Sequence, residues 1–208
     1  MSSSALPTLT SGQVREADRL AQERFGVSVE WLMEAAGWQV ARFCRGRTAV
    51  VCGVGNNAGD GLAAARHLHR WGRLESVCCV DADRLKGAAA SELAALRTLG
   101  IEVSPELQLR QAPIVVDALF GTGLTRPPEG RFAEWIDGIN QANRRVIAVD
   151  LPSGLDADTG VAYAPIVRAD VTVTMGLPKP GLARYGGDVL VADIGIPHEA
   201  YAAVGIAV

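Results

Sequence analysis

Oxygen-bearing side chains and glycines follow four short apolar runs of this sequence. Asn57 lies in the first of these stretches, Asp117 begins the second, Asp150 and Ser153 occur in the third, and Lys179 lies in the fourth. Ligands of parallel sheets bind beyond the carboxyl ends of the strands, so four such stretches predict one shared site. Asn57, Asp117 and Ser153 carry the amide, carboxylate and hydroxyl oxygens that a hard cation prefers. The alternative is that Asp117 and Ser153 only bind backbone groups.

The first glycine-rich stretch, residues 53–61, formally matches the G-x-G-x-x-G/A fingerprint of dinucleotide-binding folds. Asp81 then occurs near the place of a ribose-binding acid, so a dehydrogenase is one hypothesis. Three polar side chains argue against it, because a carboxylate at a helix start competes with phosphate for the same N–H groups. They are Asn56, Asn57 and Asp60. A purely structural alternative makes the two asparagines turn residues and Asp60 a helix cap.

Candidate acid–base groups come from the third and fourth stretches. Asp150 and Asp156 flank a Pro-Ser-Gly turn, and a carboxylate at a buried strand end can exchange protons near neutral pH. Lys179 lies between two prolines, in a setting that suits a phosphate contact or a charge partner. The alternative for Lys179 is an ordinary surface residue. The Gly-x-Ser-x-Gly motif of serine hydrolases is absent, and no histidines or cysteines have zinc-binding spacing.

The elements that must position these groups alternate between strands and helices. Apolar residues recur with helical spacing after Ser11 and after Ser28, which indicates an N-terminal helical arm. Short continuous apolar runs then alternate with helical segments, which predicts an α/β fold with a mostly parallel, doubly wound sheet. The predicted helices cover residues 11–24, 28–43, 61–71, 86–99 and 132–142, and the predicted strands cover residues 48–53, 76–80, 112–117, 145–150, 171–174 and 188–193.

Composition places the chain among globular proteins and excludes several classes of function. Its 208 residues form one predicted domain, 1–208, in which residues 1–9 are expected to be flexible. A net charge of −3 argues against general nucleic-acid binding, and no apolar run is long enough for a membrane span. Four cysteines without C-x-x-C spacing and no apparent signal peptide indicate reduced thiols in a cytoplasmic protein.

Four long stretches together resemble the YjeF N-terminal domain family, in the order in which that family has them. They are residues 51–62, 116–124, 146–160 and 193–197. The resemblance runs from about residue 9 to residue 197. It implies a Rossmann-like three-layer α/β/α sandwich, a homodimer, and activity as an NAD(P)H-hydrate epimerase. Such an isomerase interconverts the R and S forms of NADHX and NADPHX, which are hydrated on the nicotinamide ring.

The resemblance also implies roles for individual residues. Asn57, Asp117 and Ser153 would bind a potassium ion, which agrees with the oxygen-donor argument, and Asp150 is our candidate acid–base residue. Residues that would contact the hydrated dinucleotide are Asn56, Asn57, Ala58, Gly59, Asp60, Gly121, Thr122, Gly123, Leu124, Thr125, Arg126, Pro127, Asp150 and Lys179.

The sequence departs from the family pattern at three positions. Val54 replaces a usual proline, Ala58 a usual glycine, and Ala35 a usual asparagine. These changes leave open an alternative, a non-catalytic nucleotide- or protein-binding module with the same fold, although the retained Asn57, Asp117, Asp150 and Ser153 favour the enzyme. The chain stops soon after its last family motif, so we expect the dehydratase of the repair reaction to be a separate protein.

Overall fold

The computed structural model describes residues 6–185 and 187–208. Its helices are α1 (Ser11–Glu23), α2 (Val29–Phe43), α3 (Asn56–Arg70), α4 (Gly87–Thr98), α5 (Arg131–Gln141) and α6 (His198–Ala203). Its strands are β1 (Thr48–Cys52), β2 (Leu74–Cys79), β3 (Val103–Ser104), β4 (Ile114–Ala118), β5 (Arg145–Val149), β6 (Val171–Met175) and β7 (Asp188–Ala192).

The seven strands form one sheet in the order β3-β2-β1-β4-β5-β6-β7, and every pairing is parallel. Strand order reverses between β1 and β4, so their carboxyl ends open a crevice at the place where α/β sheets bind ligands. The predicted fold class is confirmed, and the strands predicted to be apolar on both faces are buried. In the described residues, no helix is long and apolar enough to cross a membrane.

Successive residues of each strand point to opposite faces of the sheet and enter different cores. Val50 and Val116 pack with α2, α3 and α4 on one face, while Val51 and Val115 pack against Trp135 of α5 on the other. The sheet is therefore covered on both sides. The four cysteines are buried and unpaired, as the sequence predicts.

The N-terminal arm packs onto this body. Residues 1–5 of the segment expected to be flexible lie outside the described residues. Leu9 is buried, and its N–H donates to Pro178 O at 3.0 Å, so the expectation of flexibility does not fit residue 9. Thr10 caps α1 in place of Ser11, and its hydroxyl and Gln13 form a capping box. Leu9 and Ala17 then pack with Tyr201 of α6.

Three elements differ from the sequence prediction. Helix α3 begins at Asn56, five residues earlier than predicted, because Gly55 in an extended conformation is its N-cap. The two-residue strand β3 and the six-residue helix α6 were not predicted, since each is too short to show a periodicity. The earlier start of α3 places Asn56 and Asn57 in the first turn of a helix, and it places Asp60 inside the helix.

Candidate active site

Asp117 and Ser153 are in direct contact at the crevice between the central strands. Asp117 is fully buried at the end of β4, and its Oδ1 accepts from Ser153 Oγ at 2.6 Å. Its carboxylate also accepts from the N–H groups of Ser153 at 2.8 Å and Leu119 at 3.2 Å. Burial nevertheless raises the pKa of Asp117 to about 6, and hydrogen bonds from Ser153 act in the opposite direction.

Asn57 reaches the same place from the first turn of α3. A Cβ atom on Gly121 would lie 3.1 Å from Asn57 Oδ1, and the adjacent N–H of Phe120 donates to Ser153 Oγ at 2.9 Å. The Asn57 side chain therefore lies against the turn that also binds Ser153. Its Nδ2 is buried and has no hydrogen-bond partner among the described residues. The structure thus brings the three predicted oxygen donors together around residues 120–121.

This donor set fits a weakly bound cation better than a transition metal. The described residues contain no group of three His, Cys, Asp or Glu side chains that could hold a metal ion. Asp117 forms no salt bridge with any described cation, so its charge stays uncompensated in a buried position. An oxygen-binding monovalent cation would compensate that charge without thiolate or imidazole ligands.

Asp150 and Lys179 form a buried ion pair near this crevice. Their side chains are 11% and 1% exposed, and Lys179 Nζ contacts Asp150 Oδ1. Thr174 Oγ1 and Met175 N also donate to Asp150 Oδ1, at 3.3 and 3.1 Å. Lys179 completes its hydrogen bonding with Thr174 Oγ1 at 3.2 Å and Met175 O at 2.9 Å. The alternative of an exposed surface lysine is wrong.

The backbone of Asp150 is also unusual, because its φ of 65° lies in the left-handed region. Only a few per cent of non-glycine residues adopt this region, although aspartate is among those that tolerate it best. The N–H of Asp150 donates to Val173 O at 2.8 Å, so the chain turns sharply at the end of β5 while it stays attached to β6. This turn directs the carboxylate toward Lys179.

A cleft lies next to this ion pair. Apolar side chains of α1 and α2 form one side of it, including Val14, Leu32 and Met33. Its polar groups are Asp18, Gln22, Asn56, Asp60, Asp150 and Lys179. The cleft therefore combines an apolar wall with three carboxylates and one ammonium group, which is typical of a site for a small organic ligand.

Two of these carboxylates lie in strongly perturbed surroundings. Burial and the nearby charge of Asp150 raise the pKa of Asp60 well above its usual range. Burial also raises the pKa of Asp18 to about 6, while the ammonium group of Lys179 acts in the opposite direction. Asp18 was not predicted as a site residue from the sequence. The available signal was that Asp18 lies beside the apolar stripe of α1, whereas a carboxylate of an amphipathic helix usually lies on the solvent face.

Other predicted site residues lie elsewhere. Ala58 and Gly59 are buried on the side of α3 that faces the core, and a Cβ atom on Gly59 would meet Met33 Sδ at 2.5 Å. Asp156 does not line the cleft, and the Thr159 N–H that donates to its carboxylate at 2.8 Å holds the pKa of Asp156 below its usual value. Asp60 is not the helix cap, because it lies inside α3.

Part of the segment 121–127 lines a second cleft. Its residues Leu124, Arg126 and Pro127 line this cleft with the paired rings of Phe120 and Phe132, whose centroids are 4.7 Å apart. Leu124 is buried, whereas Gly123, Thr125, Arg126 and Pro127 are exposed. The predicted substrate-binding residues therefore divide between two clefts, and the contact between Asn57 and Gly121 lies where the two segments meet.

Comparison with known proteins identifies the family. The family described as YjeF-related protein N-terminus matches residues 29–181, which is most of the chain. The chain belongs to this family. The resemblance inferred from the four sequence stretches is confirmed.

Individual relatives agree with this assignment. The NAD(P)H-hydrate epimerase of Rhodopirellula baltica is 37% identical over 93% of this chain and 86% of its own length. The bifunctional NAD(P)H-hydrate repair enzyme Nnr of Thermofilum pendens is 43% identical over 91% of this chain, which spans only 39% of that relative. A crystal structure of yeast ynu0 superposes with a TM-score of 0.84 at 25% identity, covering 97% of this chain and 95% of that one.

Proposed function

We propose that this chain is an NAD(P)H-hydrate epimerase, an isomerase that interconverts the R and S forms of hydrated NADH and NADPH. The observation that carries the proposal is the cleft in which Asp150, Lys179 and two further carboxylates face an apolar wall. Relatives that carry the epimerase name at 35–37% identity support the same reaction. A redox cofactor is not needed, because inversion at the hydrated carbon leaves its oxidation state unchanged.

The chemistry requires one group that gives a proton and one that takes it. The hydrated ring carbon bears a hydroxyl group and a ring nitrogen, so the C–O bond can break to an iminium ion and water can return to the opposite face. Ring opening and closure is the other route, with the same proton demand. Asp150 suits the accepting role, because its carboxylate lines the cleft and is held in place by the ammonium group of Lys179 and the N–H of Met175.

A potassium ion is the cofactor that we propose for the adjacent crevice. Asn57, Asp117 and Ser153 would hold it, and its charge would attract the pyrophosphate of the dinucleotide and organise the 120–121 turn. The support is the buried Asp117 carboxylate, which pairs with no described cation, and the position of the Asn57 amide oxygen beside Gly121 in the turn that binds Ser153.

The assembly and the partner of the enzyme are further proposals. We propose a homodimer, with the exposed indole groups of Trp31 and Trp38 on α2 as candidates for the interface. The bifunctional repair enzyme that contains a matching region supports a second repair activity, a dehydratase, that acts on the product. A cytoplasmic location stays a prediction from the cysteine content.

The decisive experiment separates the R and S epimers of hydrated NADH chromatographically before and after incubation with the protein. We expect a pure R sample to approach the equilibrium mixture faster than the protein-free control, and Asp150→Asn to slow this approach. If the wild-type protein leaves the epimer ratio unchanged but is stabilised thermally by nicotinamide dinucleotides, the chain is the binding module. Turnover of an alcohol or hydroxy acid with NAD would instead support the dehydrogenase hypothesis.

A further inference from the structure

Asp18 lines the cleft but takes no part in the proton transfer assigned to Asp150 above. It lies on α1, outside the 29–181 segment that matches the family, and it lines both the deep cleft and a shallower groove at its mouth. Its side chain forms no hydrogen bond or salt bridge with any described residue, although its neighbours Glu16 and Arg19 pair with one another. A half-buried carboxylate without a protein partner is costly in a merely structural role.

Charge balance in the cleft favours protonation of the carboxylates that lack a cationic partner. The three carboxylates of Asp18, Asp60 and Asp150 share one ammonium group. A lysine has three N–H donors, and those of Lys179 go to Asp150, Thr174 and the Met175 carbonyl. None remains for Asp18 or Asp60. Ionising all three carboxylates would leave a net charge of −2 in a confined space, so protonation of the two unpaired ones is favoured.

Asp18 and Asp60 differ in how readily they release that proton. Burial and the nearby charge of Asp150 raise the pKa of Asp60 well above its usual range, so Asp60 releases a proton less readily than Asp18. The pKa of Asp18 is raised to about 6, which is close to the pH at which a proton is given and regained in each turnover. The charged or titratable groups around Asp18 come from the cleft, from α6 and from its own helix, and they are Lys179, Asp150, Asp60, Tyr201, Arg15, Arg19 and Glu23.

Asp18 and Asp150 also belong to different walls of the cleft. Asp18 projects from the helical wall made by α1, whereas Asp150 lies at the carboxyl end of β5. Inversion through an iminium ion removes the hydroxyl group from one face of the ring and returns water to the other. Two proton-transferring groups on separate walls match this requirement, whereas one carboxylate would have to serve both faces.

We propose that Asp18 is the second catalytic residue of the epimerisation, which exchanges a proton with the hydroxyl group on the face of the ring opposite to Asp150. This proposal rests on the proposed function. Protonated Asp18 gives its proton to the hydroxyl oxygen, the C–O electron pair leaves with the departing water, and the nitrogen lone pair forms the C=N bond. A water molecule then adds to the other face and loses a proton to Asp150. Proton exchange with solvent restores protonated Asp18 and ionised Asp150 before the next turnover, and no electron is gained or lost overall.

The test compares kcat, KM and the pH profile of Asp18→Asn with those of the wild type. We expect kcat to fall by roughly a hundredfold to ten-thousandfold, with KM little changed, because a proton donor acts on the chemical step. We expect wild-type kcat to decline at alkaline pH because Asp18 loses its proton. This decline should disappear in Asp18→Asn. Glu16→Gln, which removes an exposed carboxylate from the same helix, should keep the wild-type profile.

The outcomes separate this proposal from the proposed function. A wild-type protein that does not interconvert the epimers overturns both. Interconversion by the wild type together with kcat within twofold for Asp18→Asn, or a lower kcat with an unchanged alkaline decline, overturns the role of Asp18 alone. If Asp18→Asn does not fold, Asp18→Glu decides the matter. If the midpoint of the alkaline decline in kcat of Asp18→Glu differs from that of the wild type, the proposal is supported. If Asp18→Glu keeps the kcat and the pH profile of the wild type, the proposal is contradicted.

Discussion

Replacing Lys179 by methionine should destabilise the protein strongly. The substitution keeps a long apolar chain but removes the ammonium group from a pair whose side chains are 1% and 11% exposed. Asp150 would then keep only the Thr174 hydroxyl and the Met175 N–H, at 3.3 and 3.1 Å, to stabilise its charge. Removing one partner of a buried ion pair costs about 3–5 kcal/mol, a large part of the roughly 5–15 kcal/mol stability of a typical domain.

Urea denaturation followed by circular dichroism measures this cost, and two further variants test its cause. Arg19→Met breaks an exposed pair in which Arg19 and Glu16 side chains are 49% and 46% exposed, and it should change the free energy of unfolding far less than Lys179→Met does. The double variant Lys179→Met/Asp150→Asn should be more stable than Lys179→Met alone, because the unpaired charge is gone. Equal costs for Lys179→Met and Arg19→Met, or strictly additive effects in the double variant, would refute the reasoning.

Three more predictions concern packing, pH and the cation. Gly37→Ala should lower the free energy of unfolding by about 1–3 kcal/mol, because its Cβ atom would collide with Ala63 Cβ and lie 2.7 Å from Ala64 N. Gly12→Ala is the control, and it should be neutral or slightly stabilising in the same urea titration because no atom lies closer than 3.9 Å to the added Cβ atom. The pKa of Asp18 is about 6 in the native state against a usual value of 3.8. Asp18 therefore ionises more readily in the unfolded chain, and the free energy of unfolding falls as pH rises from about 4 to 6. Asp18→Asn should therefore gain about 1–2 kcal/mol over the wild type between pH 4 and 7, after allowance for solvent contact, and a constant difference across this range would contradict the assignment. Potassium at a hundredfold excess over its Kd should add about 2.7 kcal/mol to the free energy of unfolding. The measurement is the Tm in potassium compared with the Tm in choline at equal ionic strength, and Asp117→Asn should abolish the difference.

The sequence was most informative where short-range patterns determine the structure. Buried parallel strands are continuous apolar runs, so the carboxyl ends of β1, β4 and β5 could be located within a residue or two. Strand-end residues of a parallel sheet meet at one edge. That is why Asn57, Asp117 and Ser153 could be predicted as neighbours from a one-dimensional pattern, and why the structure brings them together.

The remaining features depend on contacts between distant segments. The burial of Lys179 depends on the left-handed turn at Asp150 and on the Met175 carbonyl, and neither leaves a local sequence signal. Asp18 becomes a cleft residue only because Leu9 and Ala17 hold α1 against α6. Helical periodicity identifies the buried stripe of such a helix, but it does not show which flanking carboxylate another segment will cover.

The left-handed conformation of Asp150 makes saturation mutagenesis at that position unusually informative. Asparagine and glycine accept a φ of 65° easily, so they remove the charge without disturbing the chain path. Valine, isoleucine and threonine are sterically opposed to it and would displace the whole β5 terminus. Selection for folding and selection for turnover should therefore retain different sets of amino acids, and their comparison would separate the cost of bending the chain from the value of the carboxylate.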